Sequence, residues 1–147
     1  MRYLPNGTQM SQADSFTIKE TGIPSLVLME RAALKTVEVM HTHGIDTSRP
    51  LVVCGSGNNG GDGFAIARLL TEEGASARIL FAGRESSLSE ECRVQKKIAE
   101  NLGIGIITEI PEEEYTVIID AVFGVGLSRE ISGKYADIIA WMNEQNC

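Results

Sequence analysis

Residues Leu51 to Leu70 read LVVCGSGNNGGDGFAIARLL, and the fold follows from this stretch. Leu51-Val52-Val53-Cys54 is a short apolar run bounded by glycine, the pattern of a buried strand. Gly55 to Gly63 then places five glycines in nine residues, after which Ala65, Ile66, Leu69 and Leu70 recur at helical spacing. A strand, a glycine loop and a helix form the usual ligand-binding unit of α/β proteins, because the first amides of the helix lack internal partners and sit at its positive end. The glycines predict close ligand approach and turns with positive φ. Gly55-x-Gly57-x-x-Gly60 satisfies the dinucleotide fingerprint, but Asp62 stands where a helix starting at that residue would receive a phosphate. There it would either cap the helix or repel the phosphate. With Asn58 and Asn59 it also gathers hard oxygen ligands suited to a cation or a ribose hydroxyl. A glycine turn closed by an aspartate cap is the simpler alternative.

At 147 residues the chain is expected to form one domain with a core of its own. A formal charge of −7 and the lack of a long basic run exclude general nucleic-acid binding. No stretch is apolar enough to span a membrane, and the N-terminus has no leader-like apolar run. Three cysteines without metal-type spacing fit a reduced, cytoplasmic protein: Cys54 falls in a strand, Cys92 in a helix and Cys147 at the end. His41 and His43 precede Gly44 and read as the end of a helix.

Outward from the central stretch, the pattern predicts two N-terminal helices. Thr8 would cap one running to about Glu20, with Met10, Ala13 and Thr17 on one side. The other runs from Pro24 to about His43, with Leu26, Met29, Ala33, Val37 and Met40 as its apolar face. The helix from Asp62 stops near Gly74. A second strand covers Ala77 to Ala82, and a helix follows from Leu88 to Leu102, with Cys92, Ala99 and Leu102 on the Leu88 face. Between them Arg84 and Glu85 occupy the position from which a dinucleotide domain meets a ribose or its 2′-phosphate, although a charged loop needs no ligand. Ile104 to Thr108 reads as a third strand and Tyr115 to Phe123 as a fourth, followed by the glycine loop Gly124-Val125-Gly126-Leu127-Ser128-Arg129. A last helix covers about Tyr135 to Gln145, with Ile138, Ile139 and Met142 inward. Two helices followed by alternating strands and helices predict a Rossmann-like three-layer α/β/α fold with a mostly parallel sheet in 3-2-1-4 order. Both glycine loops then lie beyond the carboxyl ends of neighbouring strands.

Asp120 interrupts the fourth strand, where a lone buried carboxylate would need a cation, a donor or a function. Alternatively, it accepts amides from the loop that follows. Arg129 reads either as a surface residue or as a phosphate clamp.

Three segments taken together resemble a known family: Leu28-Met29-Glu30-Arg31-Ala32-Ala33, Gly57-Asn58-Asn59-Gly60-Gly61-Asp62-Gly63, and Ile119 through Arg129. They are similar to the NAD(P)H-hydrate epimerase family, the YjeF N-terminal domain. The resemblance covers essentially the whole chain. It implies an enzyme that interconverts the R and S forms of hydrated NADH and NADPH, often fused to an ADP- or ATP-dependent dehydratase that repairs the S form. It also implies that Asn58, Asn59, Gly60, Gly61 and Asp62 contact the substrate, and that Asn59 and Asp120 hold potassium. Gly124, Val125, Gly126, Leu127, Ser128, Arg129 and Glu130 would hold the substrate's phosphates. Asp120 is the candidate acid or base. The family continues with a further strand of the form V-D-I-P-S-G-x-D, and this chain reaches Cys147 before such a segment. It is therefore expected to be C-terminally incomplete, with a fourth-strand edge open to pairing in a homo-oligomer. A non-catalytic module binding a nucleotide or a partner is the alternative on the same fold.

Overall fold

A computed structural model of the chain describes residues 5–128 and 130–147. In chain order the elements are α1 (Gly7–Lys19), α2 (Ser25–Thr42), β1 (Pro50–Cys54), α3 (Asn58–Glu72), β2 (Arg78–Phe81), α4 (Glu90–Asn101), β3 (Gly105–Ile107), β4 (Val117–Ala121) and α5 (Lys134–Glu144). All four strands are parallel and ordered β3-β2-β1-β4, as the sequence predicts. Cys54 of β1 sits level with Phe81 of β2 and Ala121 of β4, so the loops after β1 and β4 emerge side by side.

Strand residues alternate between two cores. Leu51, Val53 and Leu80 face α5 through Ile138, while Val52, Cys54, Ile79 and Phe81 face Phe64 of α3 and Cys92 and Ala99 of α4. A third cluster joins Ala33 and Val37 of α2 to Ala65, Ile66, Leu69 and Leu70 of α3. The central helix is thus covered on its outer side as well. Ser25 Oγ donates to Glu91 Oε1 at 2.6 Å, tying α2 to α4, and Arg68 of α3 bonds both Glu30 of α2 and its own-helix neighbour Glu72.

Several boundaries differ from expectation. Asn6, not Thr8, caps α1, in a reciprocal box with Gln9. No residue of α1 is buried, so its expected inner face packs only lightly. Ser89 caps α4 by accepting from the Cys92 amide, which starts that helix after Leu88, and Leu102 at its end is exposed. β4 is shorter than its apolar run and only half-buried, because β1 is its one sheet neighbour among the described residues.

The largest correction concerns the glycines. α3 begins at Asn58, four residues before the expected start, so Gly60, Gly61 and Gly63 are helical. None of the five glycines from Gly55 to Gly63 has positive φ; that conformation belongs to Gly22, Gly44, Gly74 and Gly103, which follow helices, and to Gly133. What requires glycine in the central stretch is space. A Cβ on Gly60 would lie 2.0 Å from the Gly55 carbonyl oxygen, and one on Gly55 would lie 2.1 Å from that of Val122. A Cβ on Gly61 would meet Met29 Cε at 2.7 Å, and one on Gly63 would meet Ala121 Cβ at 2.6 Å.

Gly60→Ala is therefore expected to cost about 3 kcal/mol or more, since rigid backbone lies on the far side of the clash. Gly57→Ala, with an extended backbone and nothing within 4 Å of the added carbon, should stay within about 0.5 kcal/mol of the parent. Urea unfolding of both variants measures the difference.

Candidate functional site

At the carboxyl end of the sheet, a cavity of about 650 Å³ opens between the β1–α3 junction and the loop after β4. Its wall is made by Ser56, Gly57, Asn58, Asn59 and Asp62 on one side and by Val122 to Ser128 on the other. Tyr135, at the start of α5, and Asp14 of α1 complete it. The first intrahelical bond of α3 runs from the Gly61 amide to the Gly57 carbonyl at 3.1 Å. The amides of Asn58, Asn59 and Gly60 precede that bond, and no side chain caps them. An uncapped helix N-terminus at a cavity wall suits an anion such as a phosphate.

The two loops are fastened together by side chain and backbone. Asn59 Nδ2 donates to the Phe123 carbonyl at 3.1 Å, and Gly55 N–H donates to the Ala121 carbonyl at 3.0 Å. The Phe123 ring rests on Tyr135, centroids 4.9 Å apart, so α5 supports the second loop. On the other flank, Ser56 Oγ and Ser87 Oγ are 3.1 Å apart, and the Ser89 amide donates to the Ser56 carbonyl.

The expected site residues are distributed unevenly around this cavity. Asn58, Asn59, Asp62, Gly124, Val125, Gly126, Leu127 and Ser128 line it. Gly60 and Gly61 are buried beneath and do not. Glu130 borders a separate, smaller cavity with Arg84, and Arg129 lies outside the described residues. Glu85, a candidate for a ribose, instead pairs with Lys96 at 2.8 Å. Asp120 is exposed rather than buried and is not part of the lining; its Oδ1 accepts the Val122 amide at 2.9 Å, the loop-capping role that the sequence left open. Among the described residues there is no group of three or more His, Cys, Asp or Glu side chains arranged for a metal ion.

Asp14 and Tyr135 were not visible as site residues in the sequence. Asp14 sits on a helix distant in the chain, and only tertiary packing brings it to the wall. Gly7 of the same helix lies close against Val125, where an added Cβ would be 3.2 Å from the valine Cβ. The alternative reading of Asp62 as a helix cap does not hold, because the cap position of α3 is Gly57 and Asp62 lies a turn inside the helix. Burial, with a smaller contribution from the Asp14 charge, pushes its carboxyl up from the ordinary 3.8 to about 6.

Known proteins share the sequence pattern and the fold of this chain. The family model described as YjeF-related protein N-terminus matches residues 25–147. The chain belongs to that family. Among proteins similar to this YjeF-related chain, one from Weissella koreensis named NAD(P)H-hydrate epimerase is 44% identical over 139 residues, covering 94% of this chain and 63% of its own length. A protein of the same name from Oenococcus oeni is 43% identical over 92% of this chain and 65% of its own. The chain thus spans slightly less than two thirds of these curated relatives. The crystal structure of yeast ynu0 superposes with a TM-score of 0.80 at 17% identity, over 95% of this chain and 64% of that one, which supports the fold. No helix among the described residues is long and apolar enough to cross a membrane.

The Asp62 shift has a consequence for stability. A carboxyl whose pKa is higher in the fold than in the unfolded chain stabilises fully below about pH 4, and this contribution is lost as pH rises through about 6. Asp62→Asn should remove that decline and raise stability at pH 8 relative to the parent. After allowance for solvent screening of a half-buried group, the gain should be on the order of 1 kcal/mol. Denaturant unfolding at pH 4, 6 and 8 checks it.

Proposed function

We propose that this chain carries the substrate crevice of an enzyme that interconverts the R and S forms of hydrated NADH and NADPH. The observation that carries the reading is the cavity itself. An uncapped helix N-terminus and a second glycine loop meet there, in a chain 44% identical to a protein named NAD(P)H-hydrate epimerase. In this reading the amides at the start of α3 and the loop from Gly124 to Ser128 hold the pyrophosphate, and Glu130, on the separate cavity, does not take part. The nicotinamide end lies deeper, against Asp62, Phe123 and Tyr135.

The carbon to be inverted carries a hydroxyl beside the ring nitrogen. The nitrogen lone pair expels that hydroxyl as water once a proton reaches it, leaving a planar, cationic carbon–nitrogen double bond. Water then adds to the other face and returns the proton. The reaction is redox-neutral and needs one proton carrier near the carbon, stabilisation of the cationic centre, and room for water on both faces.

The resemblance to this family also points to potassium. The donors nearby are hard oxygens, namely the amide oxygen of Asn59 and the second carboxylate oxygen of Asp120, whose Oδ1 alone is engaged with Val122. That chemistry fits an alkali cation, and Asn59 and Asp120 would hold it; when bound it would add positive charge beside the phosphates. Asp120, exposed and outside the lining, is then an electrostatic residue and not the proton carrier.

Purified R-form hydrated NADH, incubated with the chain and resolved by chromatography, tests the reading. The approach to the mixed R and S forms should be at least about 100-fold faster than without protein, and faster with potassium than with sodium. A rate equal to the spontaneous one in both salts would overturn it.

A further inference from the structure

Two carboxylates stand in the cavity wall, brought from separate helices: Asp62 on α3 and Asp14 on α1. Among the described residues neither has a cationic partner or a side-chain hydrogen bond. Asp14 also precedes residues 25–147, the span matched by the family model, so α1 adds to the wall a group from outside that span. We infer that Asp14 and Asp62 act as a carboxylate pair, Asp62 keeping a proton and delivering it to the departing hydroxyl and Asp14 holding that proton on Asp62 by its charge.

This inference rests on the proposed epimerisation and supplies the group that reaction lacks. Burial of Asp62, with the exposed Asp14 charge at the same wall adding to it, disfavours ionisation, so Asp62 retains a proton that an isolated surface aspartate would release. Among the described residues, the other groups around Asp62 do not supply a counter-charge. From α4 it faces the buried Cys92 thiol, itself pushed up to about 12 and therefore neutral. From α2 the neighbouring Gly61 meets Met29, and from β4 the neighbouring Gly63 meets Ala121. The step balances without an external reagent. The carboxyl O–H of Asp62 breaks as its proton passes to the hydroxyl, the carbon–oxygen bond breaks, and water leaves. A water on the opposite face then forms the new carbon–oxygen bond and gives its proton back to the carboxylate.

Two readouts on the full chain test this. Carbon-13 NMR of aspartate carboxyls, without substrate, should show Asp62 titrating near pH 6. In Asp14→Asn the midpoint should move to lower pH. In the epimerase assay, kcat of the parent should fall about tenfold per pH unit above that midpoint, and Asp14→Asn should shift the fall acidward in step with the NMR change. Asp62→Asn should lower kcat by about 100-fold with KM changed less than about threefold, and Asp62→Glu should recover part of the loss. An active enzyme whose Asp62 titration and pH limb ignore Asp14→Asn overturns the pair, as does Asp62→Asn with near-parental kcat. A coupled pair in a chain that does not epimerise overturns the functional reading, and the catalytic role with it.

Discussion

Backbone lies on backbone at the start of α3, and the remaining architecture accommodates that approach. Gly60 rests on the carbonyl of Gly55, Gly55 on that of Val122, and Gly63 on Ala121 and Cys54. Gly61 admits Met29 of α2 and the backbone of Cys92 in α4. Four glycines thus seat one helix against β1, β4, α2 and α4 at distances that no side chain permits. Each glycine in a helix weakens it by about 1 kcal/mol relative to alanine. Here the local weakness is offset by the apolar burial of Phe64, Ala65, Ile66, Leu69 and Leu70 further along the same helix.

The same packing creates the cavity. Because α3 starts close to the sheet, its uncapped amides open beside the loop that leaves β4, and Asn59 fastens the two with a hydrogen bond to the Phe123 carbonyl. Tyr135 braces that loop from the opposite layer. Ion pairs such as Glu85–Lys96 and Arg78–Glu113 lie away from this cavity.

Much of this was legible in the sequence for physical reasons. The apolar runs of β1 and β4 and the alternation with amphipathic helices lead to a parallel sheet in 3-2-1-4 order, and the glycine motifs fall at its carboxyl edge as that order requires. The start of α3 was not legible, because propensity places a run of Gly and Asn in a loop whereas tertiary packing forces it into a helix. Asp120 was expected to be buried in an apolar strand, yet it is exposed on an edge strand and caps its own loop. Asp14 gave no local signal at all. Its helix buries no residue, and its place in the cavity wall depends on how α1 crosses the loop near Val125.

We propose that the crevice between the α3 N-terminus and the β4 loop holds the dinucleotide. A crystal structure of the chain grown with NADPH, an unhydrated analogue of the proposed substrate, tests it most directly. Pyrophosphate density is expected against the amides of Asn58 and Asn59 and the loop from Gly124 to Ser128, with the nicotinamide directed toward Asp62. Dinucleotide density elsewhere, for example in the groove that Arg68 and Gln95 line between α3 and α4, with this crevice empty, would contradict it.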